Sequence, residues 1–339
     1  MSPYTDLFGL DDGYEELIFS KEIAIYENGD GDEKDAPNLP ESFKLTNGYW
    51  KNFTWIDNKL NHTTRQLTDY GKLLTNKTLI KLGDSFIGQK GIGKAFEKGC
   101  IEYSLEMKTK LNSLLYAQVP KLEYNFLGYE EEYDDSCYPL LGWGAFEYQY
   151  PIINASIITI SEGQPINIDL CAGKNLYSAD AIRRMIKYKW FGEKYIIVMT
   201  HGAHFSSWHP IVFYNRMIAI RDAVIEYKKQ EKLSIGKNKK GATFIYRTPN
   251  YARGNFTKLY AVVSGFEMYR LREIAFKIFG NPNSEDVRSD DYPVKVFDSF
   301  GPSLAAFQFL LPGDVHPPGF LKESSVHMMA GLLDYVDAV

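Results

Sequence analysis

Thr78-Leu79-Ile80-Lys81-Leu82-Gly83-Asp84-Ser85 is the stretch on which the fold turns. Five residues of mainly apolar chain read as a buried strand. The glycine then ends it, and the Asp-Ser pair stands where a helix can begin. A second run, Tyr195-Ile196-Ile197-Val198-Met199, is apolar throughout. Strands buried on both faces, as in parallel sheets, have this continuous character rather than alternation.

Working outward, strands and helices alternate. Residues 86–114 have a mostly helical pattern after a glycine-rich start, and residues 178–191 read as a helix. Residues 211–230 repeat Ile211, Met217, Ile218, Ile220, Val224 and Tyr227 at helical spacing. Ala242–Tyr246 and Val294–Phe297 read as strands. Residues 265–279 read as a helix that stops at Gly280. Phe320–Val336 is the last amphipathic segment. Repeated strand–helix units predict an α/β fold: three layers, α/β/α, around a doubly wound and mostly parallel sheet. Residues 115–175, rich in tyrosine, proline and glycine, read as an irregular insertion with a strand at Ser156–Ile160. The expected organisation is an N-terminal extension over 1–75 packing on a core domain over 76–339.

With 339 residues, 45% hydrophobic and 24% charged, the chain can bury a substantial core. A net charge of −5 argues against a nucleic-acid partner. No run of 18 apolar residues spans a membrane. The first twelve residues are polar and acidic, unlike a signal peptide. Five glycosylation sequons begin at Asn52, Asn61, Asn76, Asn154 and Asn255. About two would be expected from average composition, so they hint at the secretory pathway. The three cysteines, Cys100, Cys137 and Cys171, cannot all pair within one chain and lack metal-ligand spacing.

Ser85 sits where a helix N-terminus would offer free N–H groups and positive dipole character, both suited to an oxyanion. The alternative makes Asp84-Ser85 an ordinary helix cap. At the other end, Asp314-Val315-His316-Pro317-Pro318 precedes the last helix. An acid close to an imidazole can hold the tautomer that accepts a proton. After the strand at 195–199 comes His201-Gly202-Ala203-His204-Phe205-Ser206-Ser207-Trp208-His209. Its reading as an active-site loop, with Gly202 offering its N–H and His204 a side-chain hydrogen bond, is preferred to a zinc site. Gly88-Gln89-Lys90-Gly91-Ile92-Gly93-Lys94 resembles a phosphate loop, which would make the chain a nucleotide binder. That loop needs Ser or Thr where Ala95 stands, and should follow its strand at once.

Taken together, these segments resemble the SGNH hydrolase superfamily, more closely its PC-esterase branch. Within that branch they look like the C-terminal domain of the NXPE (neurexophilin and PC-esterase domain) family. Asn47-Gly48-Tyr49-Trp50 with Trp55 resembles the segment upstream of the family's catalytic domain. Leu82–Gln89 resembles its nucleophile block, and Gly202-Ala203-His204-Phe205 its G-x-H-F block. Val315–Pro318 resembles its histidine block. The general SGNH acid lies three residues before the histidine. Here that residue is Gly313, so Asp314 and Asp298 both stand as candidates for the acid.

The resemblance implies a serine-dependent ester hydrolase or O-acyltransferase acting on an acylated carbohydrate or other ester, with O-acetyl on a glycan as the expected group. Ser85 would be the nucleophile, His316 the base and Asp314 its orienting acid. The Ser85 N–H, the Gly202 N–H and His204 would receive the oxyanion. Asp84, Asn250 and Asp298 are candidate supporting residues. No cofactor or metal is expected, though a separate acyl donor would be needed for transfer to a sugar. The competing reading is a degenerate domain that binds glycans or a protein.

Overall fold

The structure is a computed structural model that describes residues 48–51, 54–57, 67–83, 93–107, 117–119, 145–161, 178–202, 210–251, 265–280 and 293–305. By its internal contacts the chain divides into two units, 1–47 and 48–339. The first lies outside the described residues, as does the expected helix at 320–336. The second opens with a hairpin of β1 (Gly48–Lys51) and β2 (Thr54–Asp57), which pairs Trp50 with Trp55.

The main sheet is built from β3 (Thr78–Gly83), β4 (Ala117–Val119), β5 (Ala145–Tyr150), β6 (Ala155–Ser161), β7 (Tyr195–Thr200), β8 (Thr243–Arg247) and β9 (Lys295–Phe297). Its spatial order is β4-β5-β6-β3-β7-β8-β9. The five strands from β6 to β9 run parallel, and β4 and β5 add an antiparallel edge. The stretch expected to be an irregular insertion therefore supplies strands as well. β6, within that stretch, lies beside the central β3.

Side-chain alternation along the strands sorts them onto two faces. Leu79, Ile157, Ile196, Val198, Ile245 and Phe297 share a core with Tyr70 and Leu74 of α1 (Leu67–Leu74) and Phe96 and Cys100 of α2 (Gly93–Met107). The two helices approach closely: a Cβ on Gly71 would lie 2.5 Å from the Gly99 carbonyl oxygen. The Tyr70 and Phe96 rings pack 5.3 Å apart. On the other face lie α3 (Ser178–Lys187), α4 (Pro210–Ile235) and α5 (Gly265–Phe279). Tyr227 of α4 meets Phe244 of β8, and Phe279 of α5 meets Tyr246. Phe213, Met217, Ile220, Val224 and Tyr227 form the buried stripe of α4. Each fully buried side chain of this size contributes about 1.5–3 kcal/mol. The result is a three-layer α/β/α fold.

Helix ends follow local chemistry. α5 stops where Gly280, at φ +96°, donates its N–H to the Phe276 carbonyl at 2.9 Å. α3 is shorter than its pattern suggests, because Lys189 turns left-handed at φ +54°. Asn76 and Asn154, both sequon asparagines, occupy exposed left-handed turns at the amino ends of β3 and β6, and Asn154 Nδ2 donates to Asn76 Oδ1 at 3.1 Å.

One polar pair lies inside the α1–α2 face. Lys81, 1% exposed, donates to Glu97 of α2 at 3.2 Å. Burial lowers the Lys81 pKa against the opposing pull of Glu97. The same face buries Cys100 completely. Burial first, and then Glu97, pushes its thiol up to about 12. In the native protein at pH 8, Cys100 should therefore resist iodoacetamide, since the thiolate is the reacting form. Peptide mass spectrometry before and after denaturation checks this, and native alkylation at the rate of an exposed thiol would contradict it.

Candidate active site at the carboxyl ends of the strands

Parallel sheets gather chemistry at their carboxyl edge, where loops from several strands converge. Here the strand ends are level. Gly83 is paired with Ser161 and Thr200, Thr200 with Arg247, and Arg247 with Phe297. β3 sits between β6 on one side and β7, β8 and β9 on the other. β3 leads on to α2 on one face of the sheet, and β7 leads on to α4 on the other. The crevice between such neighbours is the switch point at which open sheets bind ligands. Gly83 and Thr200 are the paired strand ends there.

Gly83 has φ +128°, and a Cβ there would lie 1.8 Å from the Thr200 carbonyl oxygen. Only glycine fits this close approach of two central strands. Asp84 and Ser85 follow immediately and lie outside the described residues. So do His204, Asp314 and His316. β3 ends five residues before Gly88, so the phosphate-loop pattern does not directly follow its strand.

On the β7 side, His201 is 1% exposed. Its Nε2 lies 2.7 Å from Ser178 Oγ at the start of α3. Its ring stacks on Tyr246 of β8 at 6.0 Å and 11°. The Tyr246 hydroxyl donates to the His201 carbonyl at 3.3 Å. Gly202 follows, with the site of its missing Cβ 2.6 Å from Pro249 Cβ. This brings the loops after β7 and β8 into direct contact, so Gly202 and Asn250 belong to one wall. The histidine run thus begins with a ring engaged in packing and hydrogen bonding. Among the described residues, no group of three or more His, Cys, Asp or Glu side chains could hold a metal ion.

Beyond β8, Arg247 donates from Nη2 to Asn250 Oδ1 at 2.7 Å, with both residues buried. Asn250 Nδ2 has no hydrogen-bond partner among the described residues. Thr248 ties this segment to the next strand. Its hydroxyl donates to Asp298 Oδ1 at 3.0 Å and accepts the Ser299 N–H at 2.9 Å.

Asp298, one residue past β9, has both carboxylate oxygens engaged. Arg272 of α5 donates Nε to Oδ1 at 3.0 Å and Nη2 to Oδ2 at 2.6 Å. The guanidinium lies over the Phe276 ring at 4.4 Å. Burial opposes the charge on Arg272, but Asp298 outweighs it and the pKa stays above its ordinary value. Glu273 beside it is raised by burial, although Arg272 pulls the other way.

Of the expected site residues, the described structure gathers Gly202, Asn250 and Asp298 along the ends of β7, β8 and β9. Sequence reasoning missed Ser178, Tyr246, Arg247 and Arg272. A positive charge closing an otherwise apolar strand, as Arg247 does after Phe244-Ile245-Tyr246, was the available signal for one of them. The family model described as NXPE family member 4-like, C-terminal domain, matches residues 162–331. That span includes His201–His204 and His316 but not Ser85. No curated protein matches the chain.

Proposed function

The chain belongs to the NXPE family, and on that premise we propose that it performs serine-dependent acyl transfer at an ester. Ser85 Oγ attacks the acyl carbonyl, and His316 takes its proton. The tetrahedral oxyanion is received by the Ser85 N–H, the Gly202 N–H and the His204 side chain. Collapse expels the alcohol and leaves an acyl-serine. Water completes a hydrolysis; a sugar hydroxyl completes a transfer. The substrate class is a small acyl ester, O-acetyl on a glycan first among them.

One observation carries this reading: Gly83 and Thr200 are paired at the switch point of the sheet. Neighbouring strands lie about 4.8 Å apart. Two residues of chain reach no further than about 7 Å. Ser85 and Gly202 each stand two residues past those partners in sequence, which supports drawing a nucleophile and an oxyanion donor from adjacent strand ends. The two must meet a single carbonyl.

A fluorophosphonate probe tests the proposal. Wild type should take one label, located on Ser85 by peptide mapping, and Ser85→Ala should take none. A wild type that stays unlabelled and leaves acetyl esters intact would overturn the enzyme reading in favour of a binding domain.

A further inference from the structure

Resting on the acyl-transfer reading, we infer that Tyr246 and Ser178 are positioning residues that aim the Gly202 N–H at the oxyanion. The His201 carbonyl and the Gly202 N–H belong to one peptide unit. That unit is planar and trans, so its C=O and N–H point in opposite directions. The Tyr246 hydroxyl donates to the His201 carbonyl at 3.3 Å. The carbonyl is thereby turned towards β8. The N–H is then turned away from β8, and β7's other neighbour is β3, the strand that leads to Ser85. A hydrogen bond to the carbonyl also polarises the amide and strengthens its N–H as a donor.

The rest of His201 is held from a second direction. Ser178 Oγ engages its Nε2 at 2.7 Å, and the Tyr246 ring lies parallel to the imidazole at 6.0 Å. Tyr246 itself is fixed by Phe279 of α5 at 4.8 Å. One residue is thus gripped by α3 and β8 together, at both its ring and its carbonyl. Gly202 completes the arrangement by seating its Cα against Pro249. Ser178 and His201 have the separation of a nucleophile and its base, but they are 3% and 1% exposed. A substrate carbonyl does not reach them, so their hydrogen bond orients rather than attacks.

Tyr246→Phe removes only the hydroxyl and keeps the stacked ring. It should lower kcat for an acetyl ester by about 10-fold, the loss expected for one neutral hydrogen bond acting in the transition state. KM should change less than 2-fold, and Tm by no more than a few degrees. Ser178→Ala should act in the same direction, and Ser178→Thr should restore the rate. Labelling of Ser85 by the fluorophosphonate should slow in parallel, because the phosphonyl oxygen occupies the same donors. Unchanged kcat in Tyr246→Phe, with wild type labelled at Ser85, overturns the positioning role and leaves the acyl-transfer reading standing. A label on Ser178 overturns it too. An unlabelled, inactive wild type overturns both.

Discussion

Gly83→Ala should cost both stability and turnover. The alanine Cβ would lie 1.8 Å from the Thr200 carbonyl oxygen and 2.9 Å from the Thr200 carbonyl carbon. These are backbone atoms of the neighbouring central strand, so no rotamer change relieves the overlap. The backbone at φ +128° adds its own strain for any residue with a side chain. Together a strained φ and an overpacked contact cost about 2–6 kcal/mol. The chain can escape only by parting β3 from β7 at their carboxyl ends. That moves the segment carrying Ser85 away from the one carrying Gly202. A misplacement of about 1 Å between reacting groups can cost about 100-fold in rate. Urea unfolding and acetyl-ester hydrolysis measure the two effects on one preparation. A variant as stable and active as wild type would show that the switch point does not need glycine and would remove the main support for the site.

The parallel half of the fold was legible because its strands are continuous apolar runs. Tyr195–Thr200 and Thr78–Gly83 are buried on both faces, and Ser156–Ile160 and Ala242–Tyr246 are apolar runs of the same kind. β5 was not legible. Its sequence, Ala-Phe-Glu-Tyr-Gln-Tyr, alternates as an antiparallel strand with one polar face does, but it sits among glycines and prolines that read as loop. Lys81 is a polar residue inside a buried strand, and only the distant Glu97 on α2 makes that tolerable. The site divides in the same way. Local motifs pointed to the strand ends at Gly83 and Gly202, while Asp84 and Ser85 lie outside the described residues. Ser178 and Tyr246, which hold His201 beside Gly202, and Arg272, which holds Asp298, act across 20 or more residues of sequence and have no local signature. His201 shows the limit well. In sequence it is the first member of a histidine run with metal or active-site overtones. In the fold it is a buried ring that binds a serine and stacks on a tyrosine.

The two acids should separate cleanly when each is replaced by its amide. Asp298 accepts a two-pronged contact from Arg272 in a nearly buried setting, with side-chain exposures of 9% and 4%. Asp298→Asn keeps the shape but leaves Glu273, whose Oε1 lies 2.8 Å from Arg272 Nη1, as the guanidinium's remaining counter-charge. Breaking a buried pair costs about 3–5 kcal/mol when the other charge is left uncompensated, and Glu273 offsets part of that here. The change should appear as a lower urea midpoint, while the rate per folded molecule stays close to wild type. With Arg272 and Thr248 occupying its oxygens, Asp298 has little capacity left to orient an imidazole. Asp314→Asn should do the reverse. If Asp314 holds the His316 tautomer, its amide reverses the hydrogen-bond polarity. Turnover should then fall by about 10⁴-fold, with the urea midpoint unchanged. Both variants need assay below their own unfolding midpoints, so that lost fold is not counted as lost chemistry. An Asp298→Asn protein that stays fully stable but loses several orders of magnitude in rate would make Asp298 the orienting acid, and the Arg272 pair would then be its support.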